Sequence, residues 1–325
     1  MAYTVDSDFM PVNTTHSDYD LMASNWIRAR DVLGGEDSIK AAGEKYLPKL
    51  ACQSDEEYQA YKARAVFFNA TARTVVGYLG MIFRKPPFLR LADLPELGTG
   101  NPSPQPSPPG GRGSSALGKA MAEFNNDADM LGTSLYGYAK QVVSEVISVG
   151  RCGTLVDWEG DHECRAYASL YRTEQILNWR VERVNGRSIT TMVVLHEPQG
   201  GERNATDMFD STAGEQIRVL RLDETNGTDG LKCVVDIWRP RKTANHDSKS
   251  EWVLVDSIVP LRHGKPLSLI PFVFHGPENS RPTVPRVPLD DLIGINLSHY
   301  RMDADYKHGF GVCVAGGCYQ PGYDV

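Results

Sequence analysis

The stretch VDWEGDHE brings Asp157, Asp161, His162 and Glu163 within seven residues of one another. Carboxylates and an imidazole this close could hold a divalent cation and activate a water on it. In a polar turn that follows an apolar strand, the same residue types also serve a solvated hairpin. A second set, Asp303, Asp305 and His308 in LSHYRMDADYKHG, has spacings of two and three, which do not share one helix face. Cys313 and Cys318 frame VAGG near the end of the sequence with no His pair beside them, which reads as a pair of loop thiols before a zinc site. The chain contains no GxxxxGK[ST], GxGxxG, GxSxG or HExxH segment, so the usual phosphate cradle, nucleophile elbow and zinc helix are missing. The residues therefore predict no catalytic, cofactor-binding or metal site.

The elements that would position these residues divide into two kinds. SDYDLMASNWIRARDVL, with Gly34 and Gly35 behind it, predicts an amphipathic helix with a glycine stop. A short helix follows Asp37. SDEE at residues 54–57 is a capping-box signature. From there Tyr58, Tyr61, Ala65, Phe68, Ala72, Val75, Leu79 and Ile82 recur every three or four residues. That spacing predicts one long amphipathic helix over 55–85. Pro86 and Pro87 end it, since proline lacks the donor and disfavours a helical residue before it. Arg84 and Lys85 fall where cations complement the helix dipole, and the alternative use of this pair is contact with a partner chain or nucleic acid.

Residues 98–115, GTGNPSPQPSPPGGRGSS, are too rich in proline and glycine to bury surface that offsets their ordering entropy, and read as a disordered surface insertion. A PxxP ligand is the alternative, and the composition also resembles a translated bacterial intergenic repeat. Helical spacing resumes at Leu117, breaks near Asn125–Asp127, and continues to Gly150. After TLVDW the period changes to two: RAYASLY, ILNWRVERV, SITTMVVLHE, QIRVLRL, LKCVVDIWR and EWVLVDSIV predict an antiparallel meander of five or six strands. Asn185-Gly186 is a type I′ hairpin signal, and Asn226-Gly227 marks a longer turn. Trp179 alternates with Leu177 and is expected to pack a sheet face onto the helices. IPFVF, a Pro-rich turn and a third helical region follow. The segregation predicts an α+β fold: helical residues 1–97, the insertion at 98–115, helical 116–153, antiparallel β at 154–276, and a helical segment at 277–325.

The chain as a whole, 325 residues with 41% hydrophobic and 23% charged residues and a formal net charge of -7, can bury a substantial core. An acidic balance does not suit a protein that grips nucleic acid by neutralising phosphates. The N-terminus lacks a signal-peptide pattern, and no run approaches the roughly 18 apolar residues of a membrane span. The six cysteines are scattered without a CxxC pair, as in a cytoplasm-like compartment where thiols stay reduced.

Several stretches together resemble one family. KYLPKL, SDEEYQAYKARAVFFNATARTVVGYLGMIFRKPP, GTLVDW, EQILNWRVE, IPFVFHG and LSHYRMDADYKHG are similar, in that order and over most of the chain, to tailed-bacteriophage portal-like proteins long catalogued only as a domain of unknown function. RTVxGxxGxxFRKPP and ILNWR are the specific parts. The resemblance implies a structural, non-enzymatic subunit of a homo-oligomeric portal ring, usually of twelve copies, at one capsid vertex. Such a subunit is made in the host bacterial cytoplasm and resides in the virion as the head-tail connector. Terminase, head and tail proteins would be its partners, and double-stranded DNA would be packaged and ejected through the channel without sequence-specific binding. No cofactor and no membrane are implied. Within this reading Arg73, Arg84, Lys85, Asp303, Asp305 and Tyr306 are the candidate subunit-contact residues. The helices and sheet would form the wing, and the stem and clip would follow it. The chain departs from the family in its Pro-rich insertion and in stopping at Val325, where a truncated portal is expected. The alternatives are another head-to-tail adaptor, or a metal-dependent nuclease using the Asp157 to Glu163 cluster.

Overall fold

The computed structural model describes residues 11–51, 53–86, 116–159, 165–184, 186–199, 214–224, 230–241, 251–262 and 264–315. It is an α+β arrangement of helices and antiparallel sheets. The first helix, α1 (Ser17–Gly34), starts under the His16 side chain, whose Nδ1 accepts from the Asp18 amide at 3.1 Å, and stops at Gly35 with φ 90. A short α2 (Glu36–Ala42) follows. The SDEE signature forms the capping box that opens α3 (Asp55–Arg64): Glu57 N–H donates to Ser54 Oγ and Ser54 N–H to the Glu57 carboxylate. Trp26, Ala29 and Val32 of α1, Ile39 of α2, and Tyr58 and Tyr61 of α3 form one buried cluster. The last helix, α7 (Asp290–Ala315), closes that cluster with Ile293, Leu297, Tyr300 and Ala304. Each fully buried large side chain here contributes about 1.5–3 kcal/mol, so this core binds the two ends of the described chain into one unit.

The long helix expected over 55–85 is two helices. The chain leaves α3 at Ala65, runs extended to Asn69, and restarts as α4 (Ala70–Ile82). Local propensity favours the break, because Val66, Phe67 and Phe68 are all poor helix formers. Tertiary contacts then fix it. Val66 N–H donates to Asp303 at 2.8 Å, and Phe67 packs edge-on against Tyr300 at 5.8 Å. Asn69 caps α4 by accepting from Ala72 N–H, and its amide donates to the Val32 carbonyl. Asn296 bonds Thr71 and the Phe68 carbonyl. The 13-residue α4 is therefore about 20 Å long, not the roughly 45 Å of one helix over 55–85.

A similar correction applies between residues 126 and 135. Helix α5 (Ala116–Asn126) and helix α6 (Leu135–Val149) are separated by a loop, where helix was expected to resume at once. Asp129 accepts from Leu131 and Thr133 amides, Gly132 N–H bonds Asp127, and Met130 and Gly132 have positive φ. Such turn bonding competes directly with the helix.

The strands also divide differently from the single meander expected. Strand β1 (Cys152–Glu159) pairs with β2 (Arg165–Arg172) and, along its other edge, with Phe272–His275 from IPFVF, here β10. A side chain at Gly153 would place its Cβ 2.1 Å from the Phe272 ring, so only glycine lets β10 in. A 3-10 turn at Thr173–Gln175 then redirects the chain into a second sheet. That sheet has the order β3 (Ile176–Val184), β4 (Arg187–Gln199), β5 (Gly214–Glu224), β6 (Leu231–Arg241), β7 (Glu251–Ile258), with every neighbour antiparallel. Five strands do form the meander, while RAYASLY belongs to the three-stranded sheet. Val184 pairs with Arg187 and Gly186 has φ 78, as a tight hairpin requires; Asn185, Asn226 and Gly227 lie outside the described residues. The remaining short pair is β8 (Leu261–Arg262) with β9 (Lys265–Pro266). The insertion at 98–115 also lies outside the described residues.

Candidate functional site

Helix α4 places most of its apolar side chains in solvent. Thr71, Val75 and Leu79, one per turn, are its buried residues, because α6 and α7 reach only that narrow stripe. Val76 is 68% exposed, Met81 64% and Ile82 54%, with Tyr78 beside them. A Cβ added at Gly77 or Gly80 would meet nothing within 4 Å, so this face is also low in relief. Exposed apolar residues grouped on one short helix and bordered by polar groups are one mark of an interaction site. The rim is basic: Arg84 and Lys85, in the turn after the helix, are exposed, and the Arg73 guanidinium lies 4.6 Å from the Phe68 ring centre. Neither Arg84 nor Lys85 forms an ion pair with a described residue. The turn itself is anchored, since Tyr136 packs edge-on against Phe83 at 5.5 Å.

The candidate residues on α7 have other partners. Asp303 accepts from Val66 N–H at 2.8 Å and pairs with Lys307 at 2.9 Å. Desolvation pushes its carboxyl up, but the hydrogen bonds from Lys307 and Val66 outweigh this and hold it below the usual range. Asp305 accepts from the Tyr61 hydroxyl at 2.5 Å, and burial together with that carboxylate raises the Tyr61 hydroxyl. Both acids therefore pin α7 to the α3–α4 connection of their own chain. Tyr306 is exposed on α7. The six sequence candidates thus fall into a basic group around α4, the two α7 acids bonded within their own chain, and the exposed Tyr306.

The acidic cluster is only partly described. Asp161, His162 and Glu163 lie outside the described residues, and among the described residues no group of three metal-ligating side chains occurs. Asp157 accepts from Arg218 NH1 at 2.9 Å. Arg218 also donates to Glu197 at 2.7 Å, and Glu197 further accepts from Tyr171 and Gln216. This network joins the three-stranded sheet to β4 and β5 across their seam. Burial and the neighbouring Glu197 raise the Tyr171 hydroxyl, while Glu197 and Asp157 outweigh desolvation and hold Arg218 protonated. The arrangement can hold two sheets in register. Asp157, the member of the acidic cluster that the structure describes, serves this seam, and Glu197 and Arg218 carry no sequence signal that sets them apart from the other charges of β4 and β5.

Trp179 does meet the helical side as expected. His16 stacks on it at 4.1 Å, and the Arg151 guanidinium lies 3.9 Å from its ring and 4.6 Å from that of Phe274. Arg151 is buried and none of its nitrogens has a hydrogen-bond partner; desolvation pushes its pKa down to about 9. Its aromatic neighbours supply the compensating cation–π attraction. A cleft of about 730 Å³ is lined by Tyr19, Glu174, His196, Glu215 and Trp252, and among its described lining residues no nucleophile sits beside a base. Cys152 and Cys233 are free buried thiols, both raised by desolvation, and so unreactive. Among the described residues no helix is long and apolar enough to cross a membrane. No family model and no curated protein matches the chain.

Proposed function

We propose that this chain is a structural subunit of a tailed-bacteriophage portal ring, acting without chemical turnover, through which double-stranded DNA enters and leaves the capsid. The observation that carries the reading is α4: the most family-like stretch of the sequence forms an anchored helix whose apolar face and basic end are left in solvent. Val76, Tyr78, Met81 and Ile82, all exposed on one 13-residue helix, offer apolar surface that a partner could cover. In a ring that face meets a neighbouring subunit, and the acidic balance of the chain, -7, lets a polyanion slide past without the many simultaneous phosphate contacts that would arrest it. Terminase, head and tail proteins are the further partners in this reading, and the virion is the destination.

The test is assembly. Mass photometry and negative-stain electron microscopy of the purified chain should reveal rings of about twelve copies, the number coming from the family resemblance. Substituting both Arg84→Glu and Lys85→Glu should leave circular dichroism unchanged, since exposed charges contribute about 0–1 kcal/mol to stability. Ring formation should drop sharply, because a reversed charge at a contact costs far more than at a free surface. A chain that stays monomeric at every concentration counts against the ring, and normal rings from the double variant return Arg84 and Lys85 to helix-end electrostatics.

A further inference from the structure

The five-stranded sheet has two edges, and the chain treats them differently. At the β3 edge, the segment before α1 lies across the start of the strand: His16 N–H donates to the Leu177 carbonyl at 2.9 Å, and the Asn178 side-chain amide to the Thr14 carbonyl at 3.0 Å. Among the described residues no such backbone contact reaches past Asn178, and residues 180–183 are exposed. At the other edge, β7 pairs with β6 alone among the described residues. No other backbone hydrogen bond from the described residues reaches it, and its Ser257 N–H donates to its own Asp256 carboxylate at 2.8 Å.

Successive residues of a strand point to opposite faces, yet Ser257 and Ile258, which pair in register with Asp236 and Val235, are both exposed. The margin at this end of β7 therefore stands clear of the core on both faces. Natural sheets blunt such an edge with lysine, proline, a bulge or a very short strand. Strand β7 is eight residues, EWVLVDSI, with neither lysine nor proline, and its one such device is a bulge at Val255, where the register with β6 shifts between Ile237 and Trp238. The regular stretches on either side of that bulge are a template for another strand.

We propose that β7 of one copy pairs in parallel with the free half of β3, residues 180–184, in the next copy, so that the sheet continues from subunit to subunit. The inference rests on the ring reading above and names a contact within it. Strand direction supports it. With every neighbour antiparallel, β3, β5 and β7 run the same way. A neighbour rotated by the small step of a many-membered ring then presents its β3 parallel to β7, whereas β7 against β7 needs a copy turned through a half circle and closes as a two-fold dimer. Charge supports it as well. Glu251 and Asp256 are the charged residues of β7, while residues 180–184 carry Arg180 and Arg183 with one acid, Glu182. Opposite charges across strands are favourable, and β7 against β7 would gather four acids. Val181, also exposed, supplies an apolar partner for Val255 or Leu254.

Hydrogen–deuterium exchange on the full chain, dilute and assembled, reads the pairing directly. Amides of 251–258 and 180–184 should slow together on assembly. The double variant Leu254→Lys and Val255→Lys should weaken association roughly tenfold while circular dichroism stays unchanged; should that variant misfold, the exchange data on the unmodified chain decide alone. Protection confined to 251–258 means that β7 takes something other than β3 and overturns the proposal. Rings in which both edges exchange as in the dilute chain overturn the pairing and leave the ring reading standing. A chain with no self-association at any concentration overturns both.

Discussion

The helical core and the five-stranded sheet solve their packing in opposite ways. Around α1, α3 and α7 one stripe of apolar side chains closes a core in which Trp26, Ala29, Val32 and Ile293 have no exposed surface at all, while Leu21, Ile27, Ile295 and Met302 lie outside it. Polar residues there act as single locks, such as Asn69 on the α1 carbonyls and Asp303 on the Val66 amide. The sheet is joined to its neighbour by a charged seam and leaves apolar side chains bare at β7. A closed core makes a fold stable by itself, whereas a margin with both faces open has its surface satisfied only by something else. The same contrast runs through α3 and α4, adjacent in sequence: α3 buries both of its tyrosines, and α4 buries one residue per turn.

The contrast breaks most severely at Trp26. Trp26→Ala should destabilise the chain by about 3–5 kcal/mol and lower the denaturant midpoint of sheet and helices together, because α1 contacts both α7 and the turn before β3. Two separated unfolding transitions would show instead that helices and sheets are independent units. Next in size is the seam. Glu197→Ala leaves Arg218 and Tyr171 without their shared acceptor and should cost about 3 kcal/mol. The double variant Glu197→Leu with Arg218→Leu should cost less than that single change, since apolar packing can replace a complete ion pair but not half of one. Equal or greater loss in the double variant would mean the seam depends on its charges for more than pairing.

The smallest effect concerns acid. Tyr138 donates to Thr154 Oγ1 at 2.9 Å, and Thr154 Oγ1 lies 2.8 Å from His275 Nε2, where a neutral ring can accept the Thr154 proton. Burial lowers the pKa of His275 below its ordinary 6.5. A base whose folded pKa is depressed takes up protons more readily when unfolded, so stability present at neutral pH is lost as pH falls below about 6.5. The thermal midpoint should drop by a few degrees between pH 7 and 5, and His275→Gln should flatten part of that slope. An unchanged slope in the variant would assign the acid sensitivity to other groups.

Much of this was legible in the residues. The capping box at Ser54, the glycine stop of α1 and the strand periods after Cys152 all depend on neighbours within a few positions, and all appear as read. The break at Ala65 was not legible, although Val66, Phe67 and Phe68 hinted at it; the apolar spacing ran straight through because Tyr61, Ala65 and Val75 are all buried, on either side of the break. Nor could spacing place RAYASLY, since a strand of alternating pattern fits either sheet until Phe272 takes the other edge of β1. At the candidate site, the sequence marked Arg84 and Lys85 as exposed cations, but Asp303 and Asp305 gave no sign that Val66 and Tyr61 would claim them.

The sequence by itself determined the α+β class, the capping box of α3 and the glycine stop of α1, the existence of the antiparallel strands and the basic stop after α4, because each follows from backbone preference and side-chain period over a few residues. Only the tertiary structure decided which apolar faces would be covered. Burial depends on what arrives from far along the chain: α7 reached α1 and α3, the segment before α1 reached the start of β3, and among the described residues nothing reached the outer face of α4 or the edge of β7.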